Sequence, residues 1–138
     1  MDNDFFLKGL LGGSRKLIIA FVVSVALGCA AGLGEEMMFR GVLQSELGNN
    51  FGDIAALLSS AAIFGALHAV TPLYALLAGL ASIYFGELYL QYGNLAVPIA
   101  CHGLYDVGAL MAAHITVSGM SVEQRIELAN WEPPTSNE

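Results

Sequence analysis

Positive charge is scarce in this chain. Only five of its 138 residues are Lys or Arg, and between Leu17 and Ser118 the sole one is Arg40. With a formal net charge of −7 and no basic patch to meet phosphates, the sequence argues against a nucleic-acid partner. Cysteine is scarcer still. Cys29 and Cys101 both sit in apolar segments, where buried free thiols are expected, and neither spacing nor context fits a disulfide or a zinc site. His102 follows Cys101 directly, but adjacent residues diverge by about 100° on a helix, so they make a poor thiol–imidazole pair. Two hydrolase signatures, H-E-x-x-H and G-x-S-x-G, are absent. No small-residue cleavage site follows the first apolar run, which therefore does not read as a cleavable signal peptide.

What the chain has is hydrophobic length. It is 56% hydrophobic and 12% charged, about half the roughly 25% charge of an average soluble domain. Leu17 to Gly34 is an uncharged run of eighteen residues, the length at which a membrane-spanning helix becomes the default reading. The pattern predicts four apolar helices. The first runs from Leu17 through an acidic motif to about Leu47. The turn formers from Gly48 to Asp53 break it, with Asp53 as N-cap of the next helix. The second covers Ile54 to Val70 and is stopped at Thr71-Pro72. The third covers Leu73 to Leu90, and the fourth Leu95 to about Val117, with Pro98 tolerated in its first turn. Beyond it, Ser121-Val-Glu-Gln124 has capping-box spacing and predicts a short surface helix to about Asn130. Trp131 suits a membrane–water interface.

The division is thus a juxtamembrane segment, 1–16, a membrane-embedded core, 17–118, and a polar tail, 119–138. Gly28-x-x-x-Gly32 and Ala75-x-x-x-Gly79 are small-residue ridges that let helices approach closely. Lys8, Arg15 and Lys16 before the first span and Arg125 after the fourth place both ends in the cytoplasm under the positive-inside rule.

Against this background the hexamer Glu35-Glu36-Met37-Met38-Phe39-Arg40 stands out. A charge at the bilayer centre costs about 2.5–3.5 kcal/mol, so three deep, unpaired ones would cost roughly 8–10 kcal/mol. Glu36 and Arg40 are i,i+4 and can pair on one face. Phe64 and His68, and His102 and Asp106, repeat the spacing on two other segments. Such groups must face the bundle interior or a wet cavity, and one shared cavity would collect Glu35, Glu36, Arg40, His68, His102 and Asp106. Each also has a plainer reading. Glu36–Arg40 reads as a structural ion pair even within a functional site, a lone His68 as a satisfied core histidine, and His102–Asp106 as an intrahelical bond. Glu87 lies near a span end and reads as interfacial. His114 lies three turns beyond His102 and is left out. Met37, Met38 and Phe39 read as packing residues.

Acids and histidines in one wet pocket suit two chemistries without a serine or cysteine nucleophile. A carboxylate can act as general base on water while histidines orient it or donate to an oxyanion. Alternatively Glu35, His68 and His102 can hold a divalent metal such as zinc that acidifies water.

Taken together, Glu35-Glu36-x-x-x-Arg40, Phe64-x-x-x-His68 and His102-x-x-x-Asp106, in this order and each on a hydrophobic segment, resemble the CAAX prenyl protease and bacteriocin-processing (CPBP, Abi) family of intramembrane proteases. The resemblance covers Leu33 to about Ala113. It implies that Glu35 is the general base, that His68 positions the water, that His102 and Asp106 stabilise the oxyanion, and that Arg40 holds Glu36. The family is commonly called a metalloprotease family, and a metal-independent, glutamate-driven mechanism is also proposed for it. Asp106 stands where the prenyl-protein branch has asparagine. An ionised aspartate only accepts hydrogen bonds, so Asp106 must be protonated, orient His102 or bind a metal. Family members often carry about six to eight spans, so either a partner or self-association supplies the remaining walls, or the four-helix core is active alone, or it is a degenerate fragment.

The expectation is an all-α polytopic membrane bundle of about four transmembrane helices, hydrolysing a membrane-bound peptide or protein of the CAAX or bacteriocin-precursor type. Its surroundings would be a lipid bilayer, the bacterial inner membrane or an organelle membrane, with self-association or a further membrane subunit as partner. Alternatives are a non-catalytic scaffold or bacteriocin self-immunity protein, and a small transporter, against which no inverted repeat is evident.

Overall fold

The computed structural model of the chain describes residues 14–130, with side chains from Lys16 onward; Lys8, Trp131 and residues 131–138 of the polar tail lie outside the described residues. Among the described residues every regular element is a helix. The elements are α1 (Ser14–Glu36), a π-helical stretch (Met37–Gln44), α2 (Ser45–Phe51), α3 (Asp53–Leu67), α4 (Pro72–Tyr92), α5 (Ala96–Gly119) and α6 (Val122–Ala129).

The first three form one continuous rod. The turn expected from Gly48 onward is helical as far as Phe51, and the break is the single residue Gly52, whose φ of +84° is a conformation that favours glycine. Gly52, with no side-chain hydrogen bond, takes the N-cap that had been expected of Asp53, which is instead the first residue of α3. Thr71 caps α4 by accepting from the Tyr74 N–H, with Pro72 just inside. Ser121 and Gln124 form the predicted capping box on α6. There the Glu123 carboxylate is held below its usual range by hydrogen bonds from its own backbone N–H and the Ser121 hydroxyl.

Three helices are long and apolar enough to cross a membrane: the rod from Lys16 to Phe51, α4 and α5. The second expected span, Ile54 to Val70, is shorter than the sequence suggested. α3 ends at Leu67 after 15 residues, a length of about 22 Å against a hydrocarbon core of about 30 Å. Its apolar tail from His68 to Val70 is not helical because the chain turns there towards α4.

Small residues set the helix pairs. A Cβ on Gly28 would lie 2.6 Å from the Gly103 carbonyl, and one on Gly32 would lie 2.8 Å from the Ile99 carbonyl. The first ridge therefore packs backbone to backbone against α5, in antiparallel sense. The second ridge does the same for α3 and α4: a Cβ on Gly65 would meet the Ala75 carbonyl at 2.6 Å. Two packing expectations do not hold. Met37 and Met38 are more than half exposed, and only Phe39 is buried. Cys29 is exposed and Cys101 half-buried, because the glycine face of α1 turns inward and Cys29 points away from it.

Candidate active site

The acidic motif falls where α1 passes into the π-helical stretch. A π-helix is rare and concentrates at functional sites. Here its widened turns bring Glu36, Arg40 and Gln44, each four residues apart, into one buried row. The row faces α4. Arg40 Nη2 donates to the Ser82 carbonyl and, at 2.7 Å, to the Ser82 hydroxyl. Gln44 Nε2 donates to the Gly86 carbonyl at 3.2 Å, and Ser45 meets the Tyr89 hydroxyl at 3.1 Å. A Cβ on Gly86 would come within 2.7 Å of Gln44 Oε1, so a glycine lets the two elements close to this distance.

Glu36 and Arg40 are fully buried. Arg40 Nη1 donates to Glu36 Oε1 at 3.1 Å, and His102 Nδ1 donates to the same oxygen at 2.8 Å. The guanidinium lies between two rings, 5.6 Å from the centroid of Phe64 and 5.7 Å from that of Phe85. Each ring also stacks on a histidine. Phe64 lies 4.2 Å from His68 and Phe85 lies 4.7 Å from His102, both nearly parallel. Arg40 is therefore the centre of the cluster, and cation–π attraction in such a dry setting reaches about 2 kcal/mol.

His68 occupies the C-cap of α3. Its backbone N–H and its ring Nδ1 both point to the Phe64 carbonyl, at 3.2 and 2.8 Å. A carbonyl only accepts, so Nδ1 carries the proton and Nε2 is bare when the ring is neutral. The same reasoning applies to His102, whose Nδ1–H is engaged by an ion-paired carboxylate. Both bare nitrogens face one atom. Glu35 Oε2 lies 3.9 Å from His68 Nε2 and 3.8 Å from His102 Nε2. Unlike its neighbour, the Glu35 side chain is 31% exposed. Asp106 Oδ2 lies 3.5 Å from His102 Nε2, and these two atoms attract only when one of them holds a proton.

These groups line a cavity of about 300 Å³ closed by Phe64, Tyr74, Leu77, Ala78, Ala81, Phe85 and Tyr105. The gaps around Glu35 Oε2 are too wide for direct hydrogen bonds. They suit a water molecule that shares its two protons among the carboxylate and the two bare nitrogens. As metal ligands the same three residues fit in kind but not in spacing. Bonds of about 2.0–2.1 Å in a tetrahedral site set ligand atoms roughly 3.3 Å apart, and among the described residues no group of three is gathered to hold an ion.

All six residues expected at the site are thus brought to one place, four of them (Glu35, His68, His102 and Asp106) around the cavity and two (Glu36 and Arg40) behind it. Glu87 is exposed on α4, and His114 lies outside the cavity. The sequence reading missed Ser82, Gln44, Phe85, Tyr74 and Tyr105. One signal was available: Gln44 extends the 36–40 spacing by another step, and Ser82-x-x-x-Gly86 matches it on α4.

Apolar rods packed through glycines around a desolvated ion pair, with acids and histidines opening on one cavity, define an integral membrane protein built around a polar site. Residues 17–108 match the family model described as Rce1-like, type II CAAX prenyl endopeptidase. The chain belongs to this family of proteases, and a lipid environment and a membrane-associated substrate follow from membership. No curated protein and no solved structure matches the chain.

Proposed function

We propose that the chain is an intramembrane endopeptidase in which the Glu35 carboxylate activates water for attack on a peptide bond. The observation that carries this reading is the division of labour between adjacent glutamates. Glu36 is buried, ion-paired and committed to His102, while Glu35 opens on the cavity with two bare imidazole nitrogens around its outer oxygen. In the proposed reaction Glu35 takes a proton from water as the oxygen bonds to the scissile carbonyl carbon. His68 Nε2 holds that water in line. With His102 Nε2 bare, the donor that meets the oxyanion is a protonated Asp106 carboxyl beside it. Collapse breaks the C–N bond, and Glu35 returns its proton to the leaving amine.

The family description supports a CAAX-type substrate cleaved near its C-terminus, and bacteriocin-type precursors are the substrate in a cell without prenylated proteins. Cytoplasmic placement of the α1 amino-terminal end, inferred from the basic residues there, is tested by protection of an amino-terminal tag in intact cells. The activity is tested by Glu35→Gln on a panel of membrane peptides. Hydrolysis should be abolished while expression and thermal stability stay close to the parent. Surviving hydrolysis would remove Glu35 from the role of base, and collapse of the fold would favour a scaffold built on the same polar network.

A further inference from the structure

α4 contributes no charged group to the site, since its only Asp, Glu, Lys, Arg or His is the exposed Glu87. It nevertheless touches the centre of the cluster through Ser82, which is 1% exposed and accepts from Arg40 with both its hydroxyl and its carbonyl oxygen. A chain of contacts runs on from there. Arg40 Nη1 fixes Glu36 Oε1, and Glu36 Oε1 holds the Nδ1 proton of His102. The first link exists because the π-helical stretch keeps Arg40 in the row that faces α4, and Gln44–Gly86 is the parallel link one step further on.

We propose that Ser82 is a positioning residue of the hydrolytic site: its hydroxyl anchors Arg40 and so fixes, through Glu36, which ring nitrogen of His102 carries the proton. Ser82 touches no reacting atom and acts only through this chain. The proposal builds on the proposed function, but one of its readouts does not depend on catalysis. The chain contains only three histidines, His68, His102 and His114. Their ring ¹⁵N signals are assignable by single substitution, and those signals report tautomer directly.

The test compares Ser82→Ala, Ser82→Thr and Gln44→Met in detergent micelles. Ser82→Ala removes the hydroxyl and leaves the backbone carbonyl, so the fold should survive. The parent protein should show His102 with its proton fixed on Nδ1. Ser82→Ala should convert this to an averaged signal, and kcat should fall about tenfold with KM within about twofold. Ser82→Thr keeps a hydroxyl and should restore the parent signal. Gln44→Met breaks the parallel link to α4 without touching Arg40 and should leave the His102 signal unmoved. An unchanged His102 signal in Ser82→Ala overturns the proposal whatever the activity does. A shift of equal size in Gln44→Met also overturns it, because Ser82 would then only dock α4. If the signal moves as expected but Glu35→Gln still hydrolyses peptides, the positioning role stands and the proposed base falls.

Discussion

Adjacent glutamates in opposite settings, one buried and ion-paired and one partly exposed, make a sharp experiment, because the same chemical change at each should give different results. Replacing Glu36 by Gln removes the charge that balances Arg40. Both side chains have no solvent exposure, so the guanidinium is left buried without a counter-charge. Breaking a buried pair this way costs about 3–5 kcal/mol, a large share of the roughly 5–15 kcal/mol by which a typical domain is stable. His102 also loses the acceptor that fixes its Nδ1 proton. At Glu35 the side chain is 31% exposed, and its nearest ring nitrogens stand 3.8 and 3.9 Å away. Glu35→Gln should therefore change stability by no more than about 1 kcal/mol. Equilibrium unfolding in detergent, followed by circular dichroism, measures both. A third variant closes the argument: Glu36→Gln combined with Arg40→Met should recover much of the loss, since no buried charge remains unpaired. Equal destabilisation at the two positions, or a loss below about 1 kcal/mol for Glu36→Gln, would refute the reading of Glu36–Arg40 as the structural pair.

Three further outcomes follow from the same geometry. Asp106→Asn supplies an N–H donor in place of the Asp106 carboxyl proton beside His102 Nε2; hydrolysis should persist in Asp106→Asn and drop at least tenfold in Asp106→Ala, and a tenfold loss in both would show that the carboxyl group itself is needed. Hydrolysis should continue after extensive treatment with a metal chelator, because the Glu35, His68 and His102 atoms stand further apart than a bound ion requires; loss on chelation and recovery with zinc would reverse that conclusion. Gly32→Ala should push α1 from α5, since its Cβ would lie 2.8 Å from the Ile99 carbonyl and 2.9 Å from the Gly103 nitrogen. Rigid backbone cannot move aside as a side chain can, so stability should fall by about 1–3 kcal/mol; activity should fall with it, since Glu35 and His102 ride on these two helices.

The parts of the site legible in the sequence were those that obey helical spacing. Glu36–Arg40 and His102–Asp106 each lie on one face, as four-residue steps require, and the glycine ridges pack where small residues allow. The Phe64–His68 pair met for another reason. His68 is a C-cap residue, and its ring turns back to bond the Phe64 carbonyl, which no periodicity would show. The π-helical stretch left no compositional trace; what distinguishes it is the reach of Arg40 and Gln44 to α4, which only the packed structure shows. Ser82 and Gly86 were hidden for a related reason: small residues are common on packed membrane helices and carry no charge to mark them. The length of α3 was overestimated because apolar residues continue past its end, into the segment that turns towards α4.

The continuous rod from Lys16 to Phe51 has 36 residues, so it is roughly 54 Å long where the hydrocarbon is about 30 Å thick. Even a 40° tilt, near the limit seen for such helices, leaves its projection at about 41 Å. Part of it must stand among the headgroups, and the end bearing Glu46, Asn49 and Asn50, all exposed, is suited to do so. The carboxylate of Glu35 then lies off the midplane, towards that same side. Bonds buried at the centre of the bilayer, or held well above its surface, pass it by. For the proposed hydrolysis, depth in the lipid would act as a first filter on what is cut, before any side chain of the cavity meets the substrate.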